Sequence, residues 1–292
     1  MSAITQANYV LVDGVLRPDA LAKLHQRGEP LEVEPLYSGT RWEALHDLGP
    51  LLVWLRGPTN LARETFENAT HPPDASLLYS PAPIKAVADH LRRFLAPAHA
   101  LGGKSLLRFA DPLIARYWLG SYEGAHLDAV LGPIAAWHVP ESPHTWAQDR
   151  PCHWQSFLRA APAPEWAETH AQLGQAQLRA LEHAARWQFM ERLYSDLRQS
   201  LPQQLASIDN SQLTQWLQDR LDEAQAWGLV SEHSLVIWIE YSLRWGDGFA
   251  IRPDGPYQRW LDCTPNALNL APEVRIQHMD DHCLRIEMTK EV

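Results

Sequence analysis

The sequence predicts a mixed α+β / α/β protein, with an N-terminal α/β lobe, then a helical lobe, then a short terminal β-hairpin. Three observations carry this reading. Short apolar runs alternate with amphipathic stretches from residue 9 to about 139; long stretches of helical apolar period follow from Gln172; and two alternating runs, Val274–Ile276 and Leu284–Met288, flank Asp280-Asp281. The division that follows is residues 1–140 for the α/β lobe, 141–170 for a proline-rich connector, 171–250 for a helical bundle and 251–292 for a tail with the hairpin.

Taken in order, Tyr9–Val12 is a strand closed by the turn Asp13-Gly14, and Pro18 opens a helix that stops near Gly28. Leu31–Tyr37 is extended, and Pro35 suits it to a sheet edge because proline gives the ladder no donor. Thr40 and Glu43 have capping-box spacing ahead of a helix ended by Gly49-Pro50. Leu51–Leu55 has no polar break and predicts a strand buried on both faces. A helix over Leu61–Asn68, a strand over Ser76–Tyr79, a helix over Pro83–Leu95 and a strand over Ser105–Phe109 follow. Asp111 then caps a helix with Pro112 at its first position, and Ile134–Val139 is another strand. The connector holds one more near Trp154–Leu158. In the helical lobe, Leu178, Leu181, Ala185, Phe189, Leu193 and Leu197 trace one apolar face, Leu213 to Ala224 a second before Gly228, and Ser231 caps a third helix that ends at Gly246.

Composition narrows function. The chain has 292 residues, 46% of them hydrophobic, and a formal net charge of -10, which repels nucleic-acid backbones and anionic membrane surfaces at long range. The first residues carry no basic segment ahead of an apolar core, and no run approaches the length of a membrane span, so cytoplasmic residence is the expectation. Three cysteines, Cys152, Cys263 and Cys283, fit a reducing compartment. The surplus lies in 13 tryptophans, a residue enriched at the centres of protein interfaces.

Motifs of catalysis and cofactor binding are considered and set aside. Gly102-Gly103-Lys104-Ser105 resembles a phosphate loop, yet Ala98 stands where the first glycine is required and the flanking order is helix then strand, the reverse of a phosphate site. Leu11 occupies the position where a phosphatase of Asp-Gly type has its nucleophile. Cys152-His153 lacks a setting that lowers a thiol pKa. His278, His282 and Cys283 would share a helical face, but a hairpin separates them. No catalytic, cofactor-binding or metal-binding residue is therefore expected.

A positive signal comes from five segments in order: Tyr9–Gly14, Pro35–Thr40, Gly49–Val53, the helix with His90-Leu91-Arg92, and Arg108-Phe109-Ala110-Asp111-Pro112. Together they resemble the bacterial type VI secretion effector adaptors, also called effector chaperones. Ala226–Leu229 and Arg244–Phe249 resemble the accessory half often attached. Ala110, where the family tends to have an aromatic residue, and Leu113, where it usually has arginine, are departures. The resemblance implies a cytoplasmic, non-catalytic adaptor without cofactor, which binds a toxic effector and loads it on the VgrG tip spike. Arg108 and Asp111 are expected to form a charge-assisted bond between strand and helix, with Pro112, Asp13 and Gly14 as structural motif residues. Trp216, Trp227, Trp238 and Trp245 are the candidate partner-binding residues, with bundle core as their alternative role. An immunity-like protein that blocks a toxin, and an unrecognised enzyme, are the competing readings.

Overall fold

The apolar strands do form one sheet, and its connections explain an unexpected feature of it. The computed structural model describes residues 6–57, 59–67, 73–98, 103, 105–141, 143–147 and 152–290, without the side chains of 287–290. The chain divides into two compact units, Met1–Pro143 with Gln148–Arg186, and His144–Ala147 with Trp187–Val292. The first unit contains β1 (Tyr9–Val12), α1 (Ala20–Gln26), β2 (Leu31–Pro35), β3 (Leu51–Leu55), α2 (Asn60–Glu67), β4 (Ala75–Tyr79), α3 (Ile84–Arg92), α4 (Pro112–Gly120), α5 (Gly124–Leu131), β5 (Ala136–Glu141), β6 (His153–Leu158) and the first part of α6 (Gln175–Ser200). Strand order is β2-β3-β1-β4-β5-β6, and every neighbouring pair is antiparallel.

Antiparallel neighbours beside an alternation of strand and helix follow from interleaving. β1 and β2 both run antiparallel to β3, so they are parallel to each other with β3 between them; β3 and β4 are likewise parallel across β1. Each is a split β-α-β crossover, and together they make the ferredoxin-like arrangement. β5 and β6 extend it beyond β4. Residues alternate between faces of a strand: Tyr9, Leu11, Leu52, Leu78, Trp137, Val139 and Phe157 pack with α3, α4 and α5, while Val10, Val12, Leu51, Val53 and Leu77 pack with α1 and α2. Both faces are covered, which is why β1 and the start of β3 have no polar break.

Several sequence expectations shift here. Ser105–Phe109 is not a strand; Leu107 donates its N–H to Leu95 O at 3.1 Å and Phe109 inserts between Trp118 and Trp137, so its apolar residues fill a core rather than join a ladder. Gly102 and Lys104 lie outside the described residues, as does Asn68. Thr40 makes no capping box: its hydroxyl accepts from the Trp42 N–H at 3.1 Å and donates to Tyr37 O at 2.7 Å, and Glu43–Leu48 is a 3₁₀ helix. The span 141–170 holds β6, and residues up to Arg186 count with the first unit, because β6 pairs with β5 along its whole length.

The second unit is helical throughout. It holds the rest of α6, α7 (Pro202–Leu205), α8 (Asn210–Trp227), α9 (Glu232–Trp245), α10 (Pro256–Cys263) and α11 (Pro272–Lys290). The expected terminal hairpin is α11. Its alternating runs mislead because the residues that bury are Ile276, Met279 and, in part, Cys283, at spacings of three and four, while Val274, Leu284 and Ile286 stay exposed. α8 ends as expected at Gly228, whose φ of 102° only glycine adopts freely.

One carboxylate joins the end of α8, the start of α9 and the start of α11. Glu273, in the first turn of α11, accepts from Val230 N–H (2.5 Å), Ser231 N–H (2.8 Å), Ser231 Oγ (2.6 Å) and Ser234 Oγ (2.8 Å). Those donors hold its carboxyl down at about 2, led by the Ser231 hydroxyl. A depressed folded pKa adds stability that is complete above the unfolded carboxyl value and fades as pH falls toward 2. Glu273→Gln should therefore cost about 1 kcal/mol at neutral pH and little at pH near 2, as read from urea unfolding at several pH values.

Candidate functional site

Four of the five sequence segments meet around one guanidinium. Asp13 follows β1 and its Oδ1 accepts from the Val15 and Leu16 N–H groups, both at 2.9 Å, which makes it the hub of the turn. Gly14 lies against the backbone of the Gly49 turn, where an added Cβ would sit 2.4 Å from Gly49 O; Gly49 in turn faces the Tyr37 ring, 2.7 Å from an added Cβ. Neither position has room for a side chain. Arg108 Nη2 reaches Asp13 Oδ1 at 2.9 Å and lies 3.6 Å from Asp111 Oδ2. Asp111 also caps α4 through Leu113 N–H at 3.0 Å, with Pro112 at the first position as the sequence indicates. The fifth segment attaches through Arg92, which donates to Glu34 Oε1 (2.5 Å), Pro35 O (3.2 Å) and Leu36 O (3.2 Å).

The expected Arg108–Asp111 bond is thus the longer of two, and the principal partner of Arg108 is Asp13, 95 residues earlier in sequence. No local pattern marks that pair. Asp13 and Asp111 are both almost fully buried, and Arg108 is the cation between them. Burial first, then the Asp13 carboxylate, push the Asp111 carboxyl up to about 6, against the pull of Arg108. Burial and the same carboxylate also raise the Tyr37 hydroxyl.

The four tryptophans of the helical unit divide by environment. Trp238 is 3% exposed and belongs to the core with Phe249, so it is corrected from a surface anchor to a packing residue, although its edge reaches a cleft. Trp216 is tied by its Nε1 to Asp247 Oδ1 at 3.0 Å, and Asp247 also pairs with Arg220 at 2.5 Å. Trp245 packs on Tyr241 and Phe249. Trp227 is half-buried between Trp238, Tyr257 and the Arg275 guanidinium 4.3 Å over its ring. Trp227 and Trp238 line an open cleft of about 290 Å³ with Ala226, Gly248, Ala250 and Ile251, the last 82% exposed; Glu223 is its one charged wall. Sequence reasoning missed Ile251, since a lone exposed isoleucine after two glycines carries no periodic signal.

Residues 8–129 match the domain of unknown function DUF4123. No curated protein and no solved structure matches the chain. The DUF4123 match begins just before β1 and ends inside α5, so it contains the whole Asp13–Arg108–Asp111 cluster and the split crossovers but neither β5 nor β6. His278 and His282, placed on α11 at helical spacing, join no group of three metal-ligating side chains among the described residues. Also among those residues, no helix is long and apolar enough to cross a membrane.

Two outcomes test this reading of the Asp13–Arg108–Asp111 cluster. Removing the shared cation by Arg108→Ala should lower stability by roughly 3 kcal/mol in denaturant titration, because two buried carboxylates are left facing each other. Asp111 has a folded pKa above its unfolded one, so its contribution is fully present below about pH 3.8 and is lost as pH rises through about 6. Asp111→Asn, which keeps the cap, should gain on the parent protein by about 2 kcal/mol between pH 4 and pH 7.5 in the same titration.

Proposed function

We propose that the protein is a cytoplasmic adaptor that binds a type VI secretion effector and a VgrG tip spike at once, by surface recognition without catalysis. The observation that carries this reading is the DUF4123 match over residues 8–129, since the segments that resemble the effector adaptors lie within it and assemble around Arg108. The helical unit supports it with an apolar cleft at Trp227 and Ile251, of a kind that accepts an anchor side chain from a partner helix. The mechanism is effective concentration: two modest binding events on one chain keep cargo at the spike.

The test is co-expression with a candidate effector and a VgrG spike protein from the same genome, followed by size-exclusion chromatography of a ternary complex. Ile251→Glu changes a side chain that is 82% exposed, so it should reduce effector recovery by roughly tenfold while the thermal midpoint stays near that of the parent. Undiminished recovery would remove the cleft from the account; no complex with either protein would remove the adaptor.

A further inference from the structure

The sheet has two edges, and only one is protected. On β2, Glu32 pairs with Arg56, Glu34 pairs with Arg92 at 2.5 Å, and Pro35 ends the strand without an N–H, all devices that blunt an edge. β6, His-Trp-Gln-Ser-Phe-Leu, has neither proline nor a formal charge, and His153, Gln155, Ser156 and Leu158 are exposed. Arg159 donates its N–H to Ala135 O at 3.0 Å, which sets the phase of the ladder: odd residues of β6 face β5, and Trp154, Ser156 and Leu158 turn their N–H and C=O groups outward. Among the described residues those outward groups have no partner.

Beside this edge lies a cleft of about 490 Å³ whose charge runs against that of the chain. Gln155 of β6 lines it with Arg116, Tyr117, Arg179 and His183, and no carboxylate among the described residues does. Arg116 stacks 4.7 Å over Tyr117, whose ring in turn stacks on His183; it also pairs with Glu141. Arg179 is exposed and makes no ion pair or hydrogen bond among the described residues. In a protein of net charge -10 this is a local cluster of basic side chains, with Arg179 as the cation not engaged by a carboxylate among the described residues.

We propose that β6 takes an extended, acidic segment of a partner protein as a seventh strand, with main-chain bonds to Trp154, Ser156 and Leu158 and with Asp or Glu at alternate positions directed to Arg179 and Arg116. The two features select the same occupant. An unpaired edge asks for polypeptide backbone, residues of one face recur about every 6.8 Å along a strand, and the cations sit on the Gln155 face. A nucleic acid could supply charge but no ladder, and it would be repelled by the rest of the surface. β6, Arg179 and His183 lie outside the DUF4123 match while Arg116 and Tyr117 lie within it, and the site does not depend on the partner being an effector.

The experiment uses the purified full chain and a labelled, end-blocked decapeptide of alternating glutamate and valine, followed by fluorescence anisotropy at about 50 mM salt. Saturable binding is expected, with none for the lysine–valine counterpart. Leu158→Pro removes one outward donor and no bond to β5, and Arg179→Glu reverses the free charge; each should weaken binding roughly tenfold or more. Hydrogen exchange should slow at Trp154, Ser156 and Leu158 when the peptide is added. Equal binding of both peptides, indifference to Arg179→Glu, or protection elsewhere in the chain would overturn the proposal. So would self-association of the chain that Leu158→Pro abolishes, because a second copy would then be the occupant. Should Leu158→Pro fail to fold, Arg179→Glu and the exchange pattern still decide. Because no effector or spike enters this assay, its failure is distinct from failure of the adaptor reading.

Discussion

The first unit is organised around one cation shared by two buried carboxylates. Arg108 arrives on an irregular segment, Asp13 on the turn after β1, and Asp111 at the start of α4. A buried ion pair adds little to stability compared with apolar residues of the same shape, but removal of one partner is costly, so such a group enforces arrangement more than it contributes strength. Here the arrangement it enforces is the position of α4 against the end of β1. The glycine contacts have the same effect: Gly14 on Gly49 and Gly49 on Tyr37 leave no space for any other residue, and they bring three loops to the side chain of Arg108.

The helical unit relies on aromatic packing. Trp227, Trp238, Phe249, Tyr257 and Trp260 form a chain of tilted and edge-on ring contacts, geometries that ring quadrupoles favour. Much of the tryptophan surplus is accounted for by this core and by the one around Trp118 and Trp137. Among the apolar groups the core leaves partly uncovered are those of the cleft beside Trp227, with Ile251 at its rim. Polar ties supplement the packing, Asp247 receiving both Trp216 and Arg220, and Glu273 receiving four donors at the joint of α8, α9 and α11.

The opposing treatment of the two sheet edges is informative about selection of surfaces. Charged pairs and a proline make β2 a poor template for another strand, whereas β6 exposes uncharged side chains next to Arg179, which makes no ion pair among the described residues. Open edges favour non-specific association. A chain that protects one edge and leaves the other bare, with cations placed at its side, has a surface suited to a selective partner.

Local chemistry was legible wherever a residue type has one strong use. Asp111-Pro112 marked the start of α4, Ser231 that of α9, Gly228 the end of α8, and Pro35 placed β2 at an edge, because caps, fixed φ and missing donors act within a few residues. The apolar runs located six of the strands expected and the helices between most of them. Where the sequence misled, at Ser105–Phe109 and at α11, a short apolar or alternating run was compatible with strand, core loop and helix alike, and burial alone chose among them. The amino-acid sequence by itself determined the fold class, the ends of α4, α8 and α9 named above, and the residue types available to an acidic, tryptophan-rich chain. Only tertiary structure decided the interleaved strand order, the partnership of Arg108 with Asp13, which tryptophans stay partly solvent-accessible and which edge is open, since each depends on groups distant in sequence that no periodicity connects.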